Sequence, residues 1–207
     1  MSPVQPDFRQ IITTLQGTKI RFVLTGAYGI STWTGRPQAT QDVDIFVRRG
    51  RNHARAVNAL KALYPQMEVR KFDATASFFV PGEKESVIDV IYPYRADIEF
   101  TLQTAVRIEE EGLAYRIPKL EAAVANKYGA MLTPTRDPLT RAQDAVDFHL
   151  MVRHSTDEGR DPIDLKALAV LGEKVRAGGG GEEILGLVEQ VKGGRIPTLD
   201  PPQRPPE

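Results

Sequence analysis

The chain has 207 residues, enough to bury a substantial core in one compact domain with a smaller appendage. Lysine plus arginine and aspartate plus glutamate both number 27, so the formal net charge is zero and any nucleic-acid role has to come from a local patch. The absence of cysteine excludes disulfides, thiolate zinc sites and cysteine nucleophiles, and the three scattered histidines (His53, His149, His154) leave carboxylates to hold any metal.

Residues 1–6 lack the basic start and apolar core of a signal peptide, and no run approaches the roughly 20 apolar residues of a membrane span. The expectation is a cytoplasmic protein with no membrane partner. Residues 8–15 read as a short amphipathic helix and 20–24 as an apolar strand. The strand is broken by Thr25-Gly26-Ala27-Tyr28-Gly29, after which a helix is expected to about Trp33. A strand over 42–47 follows, then a helix over 52–63 with Ala56, Leu60 and Leu63 on one stripe.

Two strand-like runs, 68–72 and 77–80, lead through the loop 81–84 into the strand around Asp89. Strands alternating with helices in this way indicate a mixed sheet with helices packed on it. From Lys119 the pattern turns helical, with helices expected over 119–132, 139–153 and 163–175. The four glycines 178–181 form a break, a short helix fits 182–191, and the proline-rich end reads as a solvated tail. The expected organisation is an α/β core over 1–118, a helical region over 119–177 and a Gly/Pro-rich flexible tail over 178–207.

Three aspartates stand out. In Thr40-Gln41-Asp42-Val43-Asp44-Ile45 the two aspartates are two apart in a strand, so they share a face while Val43 and Ile45 pack on the other. Asp89 interrupts the apolar run Val87-Ile88-Asp89-Val90-Ile91. Carboxylates clustered in apolar surroundings are costly unless a cation sits between them, and a hard divalent ion is the usual resolution. The bland alternative is a set of exposed turn and edge carboxylates.

Lys127 falls with Leu120, Val124 and Met131 at positions i+7, i, i+4 and i+11 of one helical stripe. A lysine there either snorkels to the surface or reaches an anion. Asp144 and Asp147 share a helix side with Phe148 and Met151 and call for a basic partner, with Arg141 and Lys127 as the candidates. Arg48, Arg49, Arg51 and Arg55, with His53, crowd the start of a helix, where positive charge opposes the macrodipole. They are candidate phosphate contacts for an RNA or nucleotide, against the commoner reading of a solvated charged face. His149 is expected to be a core residue with a satisfied hydrogen bond, and Trp33 to pack.

Phe22-Val23-Leu24-Thr25-Gly26-Ala27, then Thr40-Gln41-Asp42-Val43-Asp44, Asp89, Lys127 and Arg141-Ala142-Gln143-Asp144-Ala145-Val146-Asp147 come in the order seen in one family. Over about 20–150 the chain resembles the DNA polymerase β-type nucleotidyltransferase superfamily, and more narrowly the bacterial abortive-infection and toxin-like nucleotidyltransferases. Two positions depart from the pattern: Ala27 stands where the family has Gly or Ser, and Gln38 stands where an arginine precedes the threonine, with Arg36 two residues earlier.

The resemblance implies Mg²⁺ held by Asp42, Asp44 and Asp89, with Asp89 assisting as base, and an NTP gripped by Gly26, Ala27, Thr40 and Lys127. It implies transfer of NMP to a hydroxyl acceptor, a tRNA end or a protein side chain being favoured over a small molecule such as an aminoglycoside. A rival from another class is a catalytically idle nucleotidyltransferase fold acting as a binding partner, such as one half of a toxin–antitoxin pair. A weaker third is a nucleic-acid-binding protein built around the arginine cluster.

Overall fold

The computed structural model describes residues 6–35, 42–157 and 162–199. Among these, a first compact unit takes in 6–31, 42–94 and 98–118, and a second takes in 32–35, 95–97, 119–157 and 162–199.

The first unit is built on a five-stranded mixed sheet. Its strands are β1 (Phe22–Thr25), β2 (Val43–Val47), β3 (Glu68–Lys71), β4 (Thr75–Phe79) and β5 (Ser86–Ile91), in spatial order β1-β2-β5-β4-β3. Only β2 and β5 run parallel, and the other pairs are antiparallel. Helix α1 (Phe8–Gly17) precedes β1, α2 (Gly26–Thr34) follows it directly, and α3 (Arg51–Leu63) follows β2. These elements match the expected ones to within a few residues.

Helix α1 is capped by Asp7, whose carboxylate accepts from the Gln10 N–H at 3.1 Å, and it buries Ile11, Ile12 and Leu15. Along β2, Val43, Ile45 and Val47 point to one face and Asp44 and Phe46 to the other, as period two requires. Helix α4 (Ala96–Thr104) covers part of the second face: Ile98, Leu102 and Ala105 pack with Val23, Phe46 and Ile91. Asp44 and Asp89 lie one step further along the same face, beyond that apolar patch.

The sequence pattern predicts neither α4 nor the hairpin of β6 (Val106–Glu110) and β7 (Leu113–Ile117). Helix α4 is short and shows little one-sided patterning. The hairpin turns at Glu111-Gly112, both with positive φ (48° and 74°), as a tight two-residue turn between twisted strands needs.

The second unit is helical: α5 (Leu120–Met131), α6 (Pro138–Asp157), α7 (Leu165–Val175) and α8 (Gly180–Lys192). Helix α5 is buried on nearly all sides, which explains why its sequence is apolar almost all round. Helix α8 is longer than the short helix expected inside a tail, and it begins within the glycine run. It buries Ile184, Leu187, Val188 and Val191. Glycine is what allows this: a Cβ on Gly172 would meet the Gly180 carbonyl oxygen at 2.4 Å, so α7 and α8 approach through bare backbone. The Glu173 carboxylate then accepts from the N–H groups of Gly178, Gly179 and Gly181. Those backbone bonds hold Glu173 below the usual carboxylate range.

Candidate active site

The three aspartates come together through strand register. Asp44 on β2 is paired with Asp89 on the parallel strand β5 and with Thr25 on β1. Register partners share a face and neighbouring strands lie about 4.8 Å apart, so Asp44 and Asp89 are side by side. Asp42, two residues before Asp44 and exposed, extends the same row.

Asp89 is the most constrained of the three. Its Oδ2 accepts from the Ser86 hydroxyl at 3.0 Å, and Ser77, its register partner on β4, also hydrogen-bonds the carboxylate. Its Oδ1 is buried with no hydrogen-bond partner. Burial pushes the pKa of this carboxyl above its ordinary value and the nearby Asp42 charge adds to the rise, while the two serines oppose it. An orphaned buried carboxylate oxygen beside two further carboxylates fits a hard divalent cation. Among the described residues no group of three or more His, Asp or Glu side chains is arranged to hold a metal ion by itself. Mg²⁺ does not need one, since it is commonly bound by one or two carboxylates plus waters and substrate phosphates.

The turn before the aspartates is fitted to Asp44. Gly26 has φ +58°, and a Cβ built there would lie 2.1 Å from Asp44 Oδ2. Only glycine fits that position, both for its backbone conformation and for the carboxylate lying over it. Helix α2 opens at Gly26, so the unpaired N–H groups of its first turn begin beside Asp44. Tyr28 stacks on Phe8 with ring centroids 4.1 Å apart; burial chiefly, and the Asp42 charge next, raise its hydroxyl above its usual value.

In the second unit, Lys127 does not snorkel. Its Nζ donates to Asp144 Oδ1 at 2.9 Å and pairs with Asp147 Oδ2 at 2.7 Å. Burial pulls the ammonium down, but the two carboxylates outweigh it and hold it above its ordinary value. Asp144 also takes Arg136 in a two-point contact at 2.8 and 3.2 Å. Of the two partners expected for the aspartates, Lys127 is the one found. Arg141 instead donates to the Thr133 and Arg136 carbonyls, and the second base on Asp144 is Arg136.

No family model matches the chain, and no curated protein matches it. Solved structures do. An antigenic nucleotidyltransferase-like protein from Paracoccidioides brasiliensis superposes with a TM-score of 0.50 at 15% identity, covering 91% of each chain. ANT(2″)-Ia, solved in complex with adenylyl-2″-tobramycin, superposes with a TM-score of 0.52 at 16% identity, covering 82% of this chain and 94% of that one. The chain has a nucleotidyltransferase fold.

Within this nucleotidyltransferase fold, Gly26, Ala27, Asp42, Asp44 and Asp89 are brought to one end of the sheet in the first unit. Thr40 and Gln38 lie outside the described residues. The arginine cluster is not brought to the aspartates. Asp44 stands near the start of β2 and Arg48 just past its end, which at 3.3 Å per residue is roughly 13 Å away. Arg49 lies over the Tyr92 ring at 5.0 Å, and Arg55 donates to the Thr18 carbonyl. His53 contacts the Val90 carbonyl at 3.0 Å. His149 is half-buried rather than in the core, with Nδ1 3.0 Å from the Arg195 carbonyl oxygen. Trp33 is half-buried.

Ser77, Ser86 and Tyr28 were not singled out by sequence. A serine three residues before Asp89 is a weak cue, and only strand pairing reveals Ser77.

Two expected results follow from this geometry. Gly26→Ala should cost about 1–3 kcal/mol, the usual penalty for a strained backbone position, and should displace the Asp44 carboxylate. Thermal unfolding reads the first effect and the loss of any Asp44-dependent activity reads the second. Asp89→Asn should raise the melting temperature of the metal-free protein near neutral pH. With its folded value raised, Asp89 favours the folded state when protonated; that stabilisation is present below the ordinary carboxylate value and is lost as pH rises through the raised one. The amide mimics the protonated form at every pH. The gain over the wild type should therefore vanish as the pH falls below the ordinary carboxylate range, and melting curves in EDTA across pH 3–8 measure it.

Proposed function

We propose that the protein is a Mg²⁺-dependent nucleotidyltransferase that moves a nucleoside monophosphate from an NTP to a hydroxyl acceptor and releases pyrophosphate. The observation that carries this reading is Asp89, a half-buried carboxylate whose Oδ1 is buried without a hydrogen-bond partner, beside Asp44 and on the face of Asp42. Asp42, Asp44 and Asp89 would hold Mg²⁺, which when bound neutralises phosphate charge and makes an attacking hydroxyl more acidic.

The chain's own contribution is positioning and proton transfer. Gly26 and Ala27 offer the N–H groups of the α2 N-terminus to phosphate oxygens. Lys127, fixed by Asp144 and Asp147, is the further cationic candidate for the triphosphate, with Thr40 from the segment before β2. Asp89, raised above the usual carboxylate range, is suited to take the acceptor's proton. The acceptor oxygen bonds to the α-phosphorus, the bond from that phosphorus to the oxygen bridging to the β-phosphate breaks, and pyrophosphate leaves.

For the acceptor, a tRNA end or a protein side chain is the first reading. The solved complex of ANT(2″)-Ia with adenylyl-2″-tobramycin makes a small polyhydroxylated molecule the second. The rival is an idle fold serving as a binding partner, such as one half of a toxin–antitoxin pair, and Ala27 and Gln38 favour it.

Melting curves with each NTP, with and without Mg²⁺, decide between enzyme and idle partner. A ligand that binds only the folded state raises its stability, so the enzyme should show a metal-dependent rise with at least one NTP. No rise with any nucleotide would overturn the assignment. Labelled NTPs incubated with cell extract then identify the acceptor.

A further inference from the structure

A basic groove of about 450 Å³ lies at the other end of β1 from Gly26, between the end of α1 and the β6–β7 hairpin. Its volume is within the roughly 300–1,000 Å³ range of ligand clefts. Lys19, Arg21, Arg107 and Arg116 line it over a floor that includes Ile20 and Phe22, and no carboxylate lines it. On the hairpin Glu109 is opposite Ala114 and outside the lining, and Glu110 accepts from the hydroxyl of the lining Tyr115 at 2.7 Å.

Arg107 and Arg116 are direct cross-strand partners. Like charges placed opposite each other destabilise a hairpin, so this pair works against the fold unless an anion lies across it. Two of the guanidiniums are also held in place. Arg21 donates to the Gln103 carbonyl at 3.1 Å and Arg116 to the Ala105 carbonyl at 3.1 Å. A guanidinium has five N–H donors, so anchoring by one of them leaves most of its fork to meet a ligand.

Four cations, from the α1–β1 connection and from a facing pair on β6 and β7, line one groove without a carboxylate, which suits several phosphates better than one. Two further arginines extend it: Arg48 follows the strand end that pairs with Phe22, and Arg55 of α3 is anchored on Thr18, next to Lys19.

We propose that this groove binds the phosphodiester backbone of a single-stranded nucleic acid, independently of the nucleotidyl-transfer reading. The contacts are to phosphate, so binding is insensitive to base sequence and sensitive to salt.

The test uses the full chain in EDTA without nucleotide, so its outcome does not depend on the transfer reaction. Fluorescence anisotropy with a labelled single-stranded RNA is read between 50 and 200 mM salt. The wild type should bind with a log–log salt slope of about −2 to −3, from about −0.7 per phosphate neutralised on a single strand. Arg107→Glu/Arg116→Glu should weaken binding at least about tenfold and flatten the slope by about 1.4. The milder Arg107→Gln/Arg116→Gln, compared at equal melting temperature, guards against a folding defect and should weaken binding in the same direction. Single-stranded DNA should compete nearly as well as RNA. No binding by wild type, or equal binding by both variants, would sink the proposal. So would competition by inorganic tripolyphosphate or polyglutamate that matches the strand at equal charge, since either assigns the groove to another anion.

Discussion

Asp44→Asn is expected to abolish transfer of label from every NTP, lowering turnover by at least about a thousandfold, which corresponds to about 4 kcal/mol of lost transition-state stabilisation. The substitution changes charge with almost no change in shape. Asp44 stands on a central strand, between Thr25 and Asp89 in register and directly over Gly26. Removing its charge relieves repulsion within the row of carboxylates, so the variant should melt no lower than the wild type in EDTA. It should also lose the metal-dependent nucleotide stabilisation expected of the wild type. Label transfer by the variant at a rate near that of the wild type would disprove the assignment of this row as the catalytic site. Measuring both melting temperature and turnover separates a lost function from a lost fold.

Lys127→Met should destabilise the protein by about 3–5 kcal/mol, because removing one partner of a buried ion pair strands the other charge. Asp144 and Asp147 are 1% and 3% exposed, and Lys127 pairs with both. Met is close to lysine in length and keeps the apolar packing of α5, so the effect reports charge rather than a cavity. When the lysine is gone Asp144 keeps Arg136, and Asp147 keeps the hydrogen bond from the Gln143 amide at 3.0 Å. Adding Asp147→Asn to Lys127→Met removes one of the two carboxylates that paired with the lysine and should recover part of the loss. Denaturant unfolding of the single and double variants measures this, and a single variant within about 0.5 kcal/mol of wild type would contradict the ion-pair account.

The contrast between these two clusters shows why a carboxylate is informative only with its neighbours. Asp144 and Asp147 are satisfied by bases within their own helical unit. Asp89 has two serines on one side of its carboxylate and no hydrogen-bond partner at Oδ1. Both clusters combine aspartate with apolar residues in the sequence, and both required a cation on physical grounds. In one the cation is a lysine of the chain. In the other the donor set fits a divalent ion.

Much of the fold was legible because its signals are local. Period-two alternation placed Asp42 and Asp44 on one face, and α1, α3 and α5 to α7 follow from helical spacing or continuous apolar runs. Helix α4 and the β6–β7 hairpin were not legible, because short elements with charged or mixed faces carry little periodicity. The glycine run before α8 was a true break in the chain but not the start of a tail. A Cβ-free contact with α7 made those glycines a packing surface, which depends on a partner that sequence spacing does not reveal.

By itself the sequence determined that three aspartates would stand on apolar strands, that a glycine turn would precede them, and that Lys127 would fall in an apolar helical stripe, where it either snorkels or meets an anion. These follow from periodicity and from the cost of burying charge, both properties of short segments. Only the tertiary structure decided that β2 and β5 pair in the register that sets Asp44 beside Asp89. Only it brought the end of β2 that the arginine cluster follows next to the start of β1 and the basic groove. Register and strand direction depend on pairings between segments far apart in the chain. Closeness in sequence, as between Asp44 and Arg48, becomes separation once an extended strand runs between them.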